Sequence, residues 1–153
     1  KGSWIATPGY HEVDNSFCRV RITPQKGDKP YYTFFVLSLL NKSDTTLSID
    51  WNKSRYVHGG TPQGMLVFEG IDPQAVKTHT VPEESIPPGD RLARNLMPIR
   101  LIAWSPIKEK TTNARAITPG KLPAGKNGIR LYLRQAGGNP VTIPLAVSLS
   151  LEK

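Results

Sequence analysis

Three histidines, one cysteine and a pair of adjacent glutamates are the side chains of this chain that could hold a metal, shuttle a proton or attack a substrate. His11, His58 and His79 stand far apart, and no H-x-x-H or H-E-x-x-H spacing sets two imidazoles on one turn to grip an ion. All three fall in segments that read as loops. Loops at one end of a fold could gather them, but scattered surface histidines are the simpler account. Cys18 shares side-chain parity with Val20 and Ile22, which predicts a buried thiol that packs like a small hydrophobe rather than a nucleophile. As the one cysteine, it can form no disulfide within the chain. Glu83 and Glu84 sit in a Pro-rich turn, where carboxylates are solvated. A nucleophile elbow, a phosphate loop, a dinucleotide fingerprint and a C-x-x-C pair are all missing. The sequence therefore supports neither an enzyme nor a cofactor.

Binding chemistry is better represented. Arg19 and Arg21 alternate with apolar residues, as do Arg130 and Arg134 with Tyr132 between them, and Arg100 has the outward parity of a third apolar run. Interleaved Arg and Tyr can grip phosphate or sulfate and stack on planar groups. The expectation is one basic face built from Arg19, Arg21, Arg100, Arg130, Tyr132 and Arg134, extended by Lys108, Lys110, Arg115, Lys121 and Lys126. That expectation requires the two arginine strands to share a sheet. The competing account is the solvated side of a half-exposed sheet, with Arg stems lying over their neighbours.

Charge distribution agrees with a basic face. The formal net charge is +8. Residues 1–76 carry 8 Lys/Arg against 7 Asp/Glu, whereas residues 77–153 carry 12 against 5. The positive field belongs to the C-terminal half, and such a field attracts nucleic acid, anionic lipid or acidic glycans. No aromatic stacking motif or groove-reading helix marks a dedicated nucleic-acid module.

These side chains must be carried by strands. Gly (13) and Pro (14) are spread along 153 residues, which favours many short strands over long helices. Residues 31–40 are apolar on both parities, residues 47–51 alternate, and the polar run 41–46 between them favours a turn, so residues 31–51 read as a central hairpin. Residues 16–23, 65–70, 91–97, 99–104 and 128–135 read as further strands. Residues 141–151 form the longest alternating run, with Val141, Ile143, Leu145, Val147, Leu149 and Leu151 inward. Pro144 on its outward side marks an edge or a bulge. Residues 71–81 read as irregular and 82–90 as a rigid turn. The expected organisation is an N-terminal arm over 1–15, with room for one short edge strand, and one β-sandwich domain over 16–153 with a long basic loop at 105–127. The fold expected is all-β: a Greek-key, immunoglobulin-like sandwich of about seven to eight antiparallel strands, with a small closed barrel as the alternative.

Several turn motifs carry a resemblance. They are Leu40-Asn-Lys-Ser-Asp44 after a hydrophobic strand, Leu47-Ser-Ile-Asp-Trp51, Ser54-Arg-Tyr56, Ile86-Pro-Pro-Gly89 before a strand, and paired amphipathic strands around Gly137-Gly138. In these features the chain resembles a diffuse group of bacterial cell-envelope β-sandwich domains, many of them small lipoproteins. The resemblance implies an exported, non-enzymatic domain of a Gram-negative periplasm or envelope and names no active-site residue. No apolar run is long enough for a transmembrane helix. The chain opens at Lys1, and a form whose export signal has been removed is the expectation. The expected role is structural or binding, toward an envelope protein or anionic polymer, with peripheral membrane contact as one form of it. The alternatives are an adaptor that pairs through the edge strand 141–151 and a nucleic-acid-associated accessory protein.

Overall fold

Alternation of apolar and polar side chains is the rule that builds this molecule. A computed structural model describes residues 2–106 and 115–153, with side chains for all of these except 103–106 and 115–118. The strands run β1 (Ser3–Thr7), β2 (His11–Asp14), β3 (Cys18–Gln25), β4 (Phe34–Asn41), β5 (Leu47–Ile49), β6 (Arg55–His58) and β7 (Thr61–Pro62). They continue with β8 (Leu66–Val67), β9 (Glu84–Ile86), β10 (Arg91–Pro98), β11 (Ala103–Pro106), β12 (Arg115–Thr118), β13 (Gly125–Gln135) and β14 (Pro140–Glu152). A short helix α1 (Pro73–Thr78) precedes β9, and a one-turn 3-10 helix (Ile99–Leu101) follows β10.

Two antiparallel sheets result. A seven-stranded sheet runs β1-β14-β13-β5-β9, with β6 also on β13 and β7 on β6; a five-stranded sheet runs β2-β3-β4-β10-β8. Among the described residues, strands β11 and β12 pair only with each other. The sheets do not close, so the molecule is an all-β sandwich and not the barrel. Inward residues of β3 (Cys18, Val20, Ile22) and β4 (Phe35, Leu37, Leu39) share one core with those of β13 (Ile129, Leu131, Leu133) and β14 (Ile143, Leu145, Val147, Leu149). Each such side chain contributes roughly 1.5–3 kcal/mol by leaving water.

Several expectations are corrected. The central hairpin is an arch: β4 belongs to the five-stranded sheet and β5 to the seven-stranded one. Asn41, fully buried, ties the arch by donating to Thr45 O and to Ile86 O in β9, both at 2.8 Å, while Ser43 donates to its Oδ1. The residues expected as an arm form two strands, β1 on β14 and β2 on β3, one in each sheet. Residues 71–81 contain α1, because Asp72 Oδ1 accepts the Gln74 N–H at 3.0 Å and Pro73 presets the first turn. The strand expected over 99–104 is the 3-10 helix followed by β11, the Ile102 N–H turning back to Ile99 O at 3.4 Å. The turn at 82–90 holds β9. The basic loop expected at 105–127 contains β12, a buried Leu122 and the start of β13; its residues 107–114 lie outside the described residues. Val141 and Leu151, expected inward, are exposed at the two ends of β14.

Candidate anion-binding surface

The single basic face is not formed. Strand β3 lies in one sheet and β13 in the other, so the outward side chains Arg19 and Arg21 leave from one outer surface, and Arg130, Tyr132 and Arg134 from the opposite one. Arg100 joins neither row. It sits in the 3-10 helix and donates to Gln63 Oε1.

On the five-stranded sheet the register decides the charge. Glu12 stands directly opposite Arg21, and Asp14 opposite Arg19. Both couples close as ion pairs, at 2.9 Å and 3.3 Å. Lys42 Nζ also reaches Asp14 Oδ1 at 2.5 Å. The Lys42 hydrogen bond first, with the Arg19 charge adding, holds the Asp14 carboxyl below its ordinary pKa. Arg21 stacks over Tyr10, its guanidinium carbon 4.1 Å from the ring centre. A depression of about 350 Å³ beside these residues is lined by Arg19, Arg21 and Arg91, but also by Glu12.

On the seven-stranded sheet the neighbours of the basic residues are different. Lys126, Gly128, Arg130, Tyr132 and Arg134 follow one another at period two along the outward side of β13. Arg130 faces Arg55 across the β13–β6 ladder, a like-charge pair. Arg55 turns its Nη1 onto the carbonyls of Asn52 and Ser54, at 2.7 and 2.9 Å, and Arg130 Nη2 donates to Gly60 O at 3.2 Å. Lys53 lies 5.0 Å from the centre of the Tyr132 ring. Arg134 alone in this set has a carboxylate, Glu83 at 3.3 Å. Among the described residues, no acidic side chain pairs with Lys126, Arg55 or Arg130.

Between Lys126 and Arg130 the sheet is notched. Gly128 is held to glycine because a Cβ there would lie 1.9 Å from Leu145 O and 2.7 Å from Ala146 Cα. That space is taken by the β14 backbone, and beside it lies a groove of about 420 Å³ whose lining includes Val57, Gly128, Pro144 and Ala146. Its rim is the tight β6–β7 turn, with Gly59 and Gly60 at φ +61 and +84. Gly59 N–H donates to Lys126 O at 2.9 Å, fixing that turn. His11 enters from β2, and its Nδ1 accepts the Ala146 N–H at 2.9 Å. A backbone N–H can only donate, so the neutral ring carries its proton on Nε2.

That same bond bears on the edge of β14. Strand β1 meets β14 only along 148–152, so residues 140–147 have no strand on that side among the described residues. Ala146 N–H points there and is taken by His11. Residues two apart present their amides to the same side, so Pro140 and Pro144 withhold theirs there too. Thr142 alone keeps a free donor along this stretch, which leaves little ladder for a partner strand.

The other chemical candidates are dispersed. His58 Nε2 meets Ala124 O at 2.8 Å, and His79 closes α1 in a left-handed conformation. Cys18 is fully buried, and burial pushes its thiol up from 9.0 to about 11. Glu84 receives Trp51 Nε1–H at 2.9 Å and pairs with Arg94 of β10, bridging the two sheets. Among the described residues no three metal-type ligands converge, and no helix is long and apolar enough to cross a membrane. Sequence reasoning overlooked His11, Gly128 and Ala146 as members of one groove. The available signal was Lys126-x-Gly128-x-Arg130, two cations and a glycine on one parity. Set beside known proteins, the chain matches no family model, no curated protein and no solved structure.

Proposed function

We propose that this chain is a non-catalytic, exported binding domain that holds an anionic partner against the outer face of its seven-stranded sheet. The observation that carries the reading is the Lys126–Arg130 stretch of β13, whose cations have no acidic partner among the described residues while Arg19 and Arg21 on the other sheet are both paired. An envelope location follows from the resemblance of its turn motifs to cell-envelope sandwich domains. The partner class is an acidic polymer or acidic protein surface of that compartment.

The test is binding of labelled heparin, duplex DNA and anionic vesicles at about 50 and 200 mM salt, where each phosphate contact on duplex DNA adds roughly 0.9 to the log–log salt slope. Binding that falls steeply with salt and with Arg130→Ala/Arg134→Ala supports the reading, and the preferred probe names the partner class. Binding to none of the probes, or binding indifferent to the double substitution, overturns it.

A further inference from the structure

We infer that the groove between Lys126 and Arg130 is a site for a phosphate monoester carried on a flat apolar body. The inference rests on the reading that this face takes an anion, and it narrows that reading to one ligand chemistry at one place. Among the described residues, every polar side chain lining the groove is a donor: Lys126, Arg130 and His11, the last with its Nδ1 already occupied by the Ala146 N–H. No carboxylate among the described residues lines it, in contrast to the depression on the other sheet, which includes Glu12. Two full positive charges without acidic partners among the described residues match a dianion better than a single carboxylate, and the Arg guanidinium fork suits phosphate oxygens. The floor of Val57, Pro144 and Ala146 is apolar and offers no acceptor side chain, so it fits a ring or a short hydrocarbon rather than a sugar. A volume of about 420 Å³ falls in the usual range for small-molecule sites. The walls are set before any ligand arrives: Arg130 is held by Gly60 O, the Gly59–Gly60 turn by Lys126 O, and His11 by the β14 backbone. Preorganisation of this kind lowers the entropic penalty of binding.

The probe is 1-naphthyl phosphate, titrated into the full chain and followed by backbone amide shifts. Saturable movement of the Gly60, Gly128 and Ala146 amides is expected, with none from neutral 1-naphthol and weaker binding by 1-naphthoate. Lys126→Ala and Arg130→Ala should each weaken binding about tenfold, the scale of one charge-assisted hydrogen bond. Ala146→Leu, which fills the floor with an outward side chain, should weaken it at least as much, while Arg134→Ala, outside the groove, leaves it within about twofold. Vesicles containing phosphatidic acid separate the two sources: recruitment that Ala146→Leu abolishes assigns the site to a lipid headgroup, and soluble binding without recruitment assigns it to a free phosphorylated compound. No saturable shift at the three amides, or equal shifts from 1-naphthol, overturns the inference. Polymer binding that needs Arg134 and ignores Ala146→Leu, with no naphthyl phosphate shift, sinks the groove and keeps the face. The opposite pattern keeps the groove and sinks the polymer.

Discussion

The two outer faces of the sandwich each carry a row of outward basic residues on one strand, yet they end with different charge. Strand β3 has β2 beside it, and β2 brings Glu12 and Asp14 into register with Arg21 and Arg19. Strand β13 has β6 beside it, and β6 brings Arg55 against Arg130. A row of arginines therefore says little about a surface until the neighbouring strand is known. The sharpest break of this comparison is charge reversal on one face against neutralisation on the other. Lys126→Glu/Arg130→Glu should lower heparin affinity by about 100-fold at low salt and flatten the salt slope, whereas Arg19→Ala/Arg21→Ala should stay within about threefold. Equal losses from both pairs would mean that long-range charge, and not the unpaired row, drives binding.

The faces can also be compared from within, because each sheet buries one weak acid. Cys18 points inward from β3 and Tyr56 from β6. Burial raises the thiol from 9.0 to about 11 and the phenol from 10.0 to about 12, the latter partly offset by the Arg100 charge. Tyr56 also donates to buried Asn127, a bond that needs the phenol proton. The direction follows from the proton count. Between pH 9 and 11 the unfolded thiol has lost its proton while the folded one keeps it, so stability falls as pH rises. The phenol acts the same way one unit higher. Each contributes roughly 2–3 kcal/mol of alkaline destabilisation. Denaturant melts from pH 8 to 12 should show a decline starting near 9 that Cys18→Ala delays, and a later decline that Tyr56→Phe removes. A flat profile in the wild type would show that both groups reach water.

How much of this was legible in the sequence depends on which interactions were local. Alternation in 18–22, 128–135 and 143–149 located the core strands, because side-chain parity is set by the strand itself. Sheet membership was not legible. The polar run 41–46 suits a hairpin and an arch equally, and the arch is decided by Asn41 reaching Ile86, 45 residues away. Residues 1–15 look like an arm because Pro8 and Gly9 interrupt them, yet Trp4 and Val13 pack on the core from opposite sheets. At the candidate site, Arg130 was legible from its parity. The groove was not, since His11 arrives from 135 residues away to meet Ala146. Nor could the neutralisation of Arg19 and Arg21 be read, since Glu12 and Asp14 sat in the segment taken for an arm.

If the quiet face is quiet only because β2 supplies two carboxylates, then Glu12→Gln/Asp14→Asn should awaken it. Arg19, Arg21, Lys42 and Arg91 would then stand without these partners on one surface. Heparin affinity should rise by roughly three- to tenfold at low salt, and the gain should vanish near 1 M salt, where screening acts within about 3 Å. Lys42 and Arg19 hold the Asp14 carboxyl below its ordinary value, so it loses its charge at lower pH than a free aspartate does. The pairing is present above that point and is lost as pH falls through it, which an amide-detected titration of Asp14 would follow. No gain from Glu12→Gln/Asp14→Asn would show that neutralisation is not what separates the faces, and that the notch at Gly128 and its fixed walls matter more than charge alone.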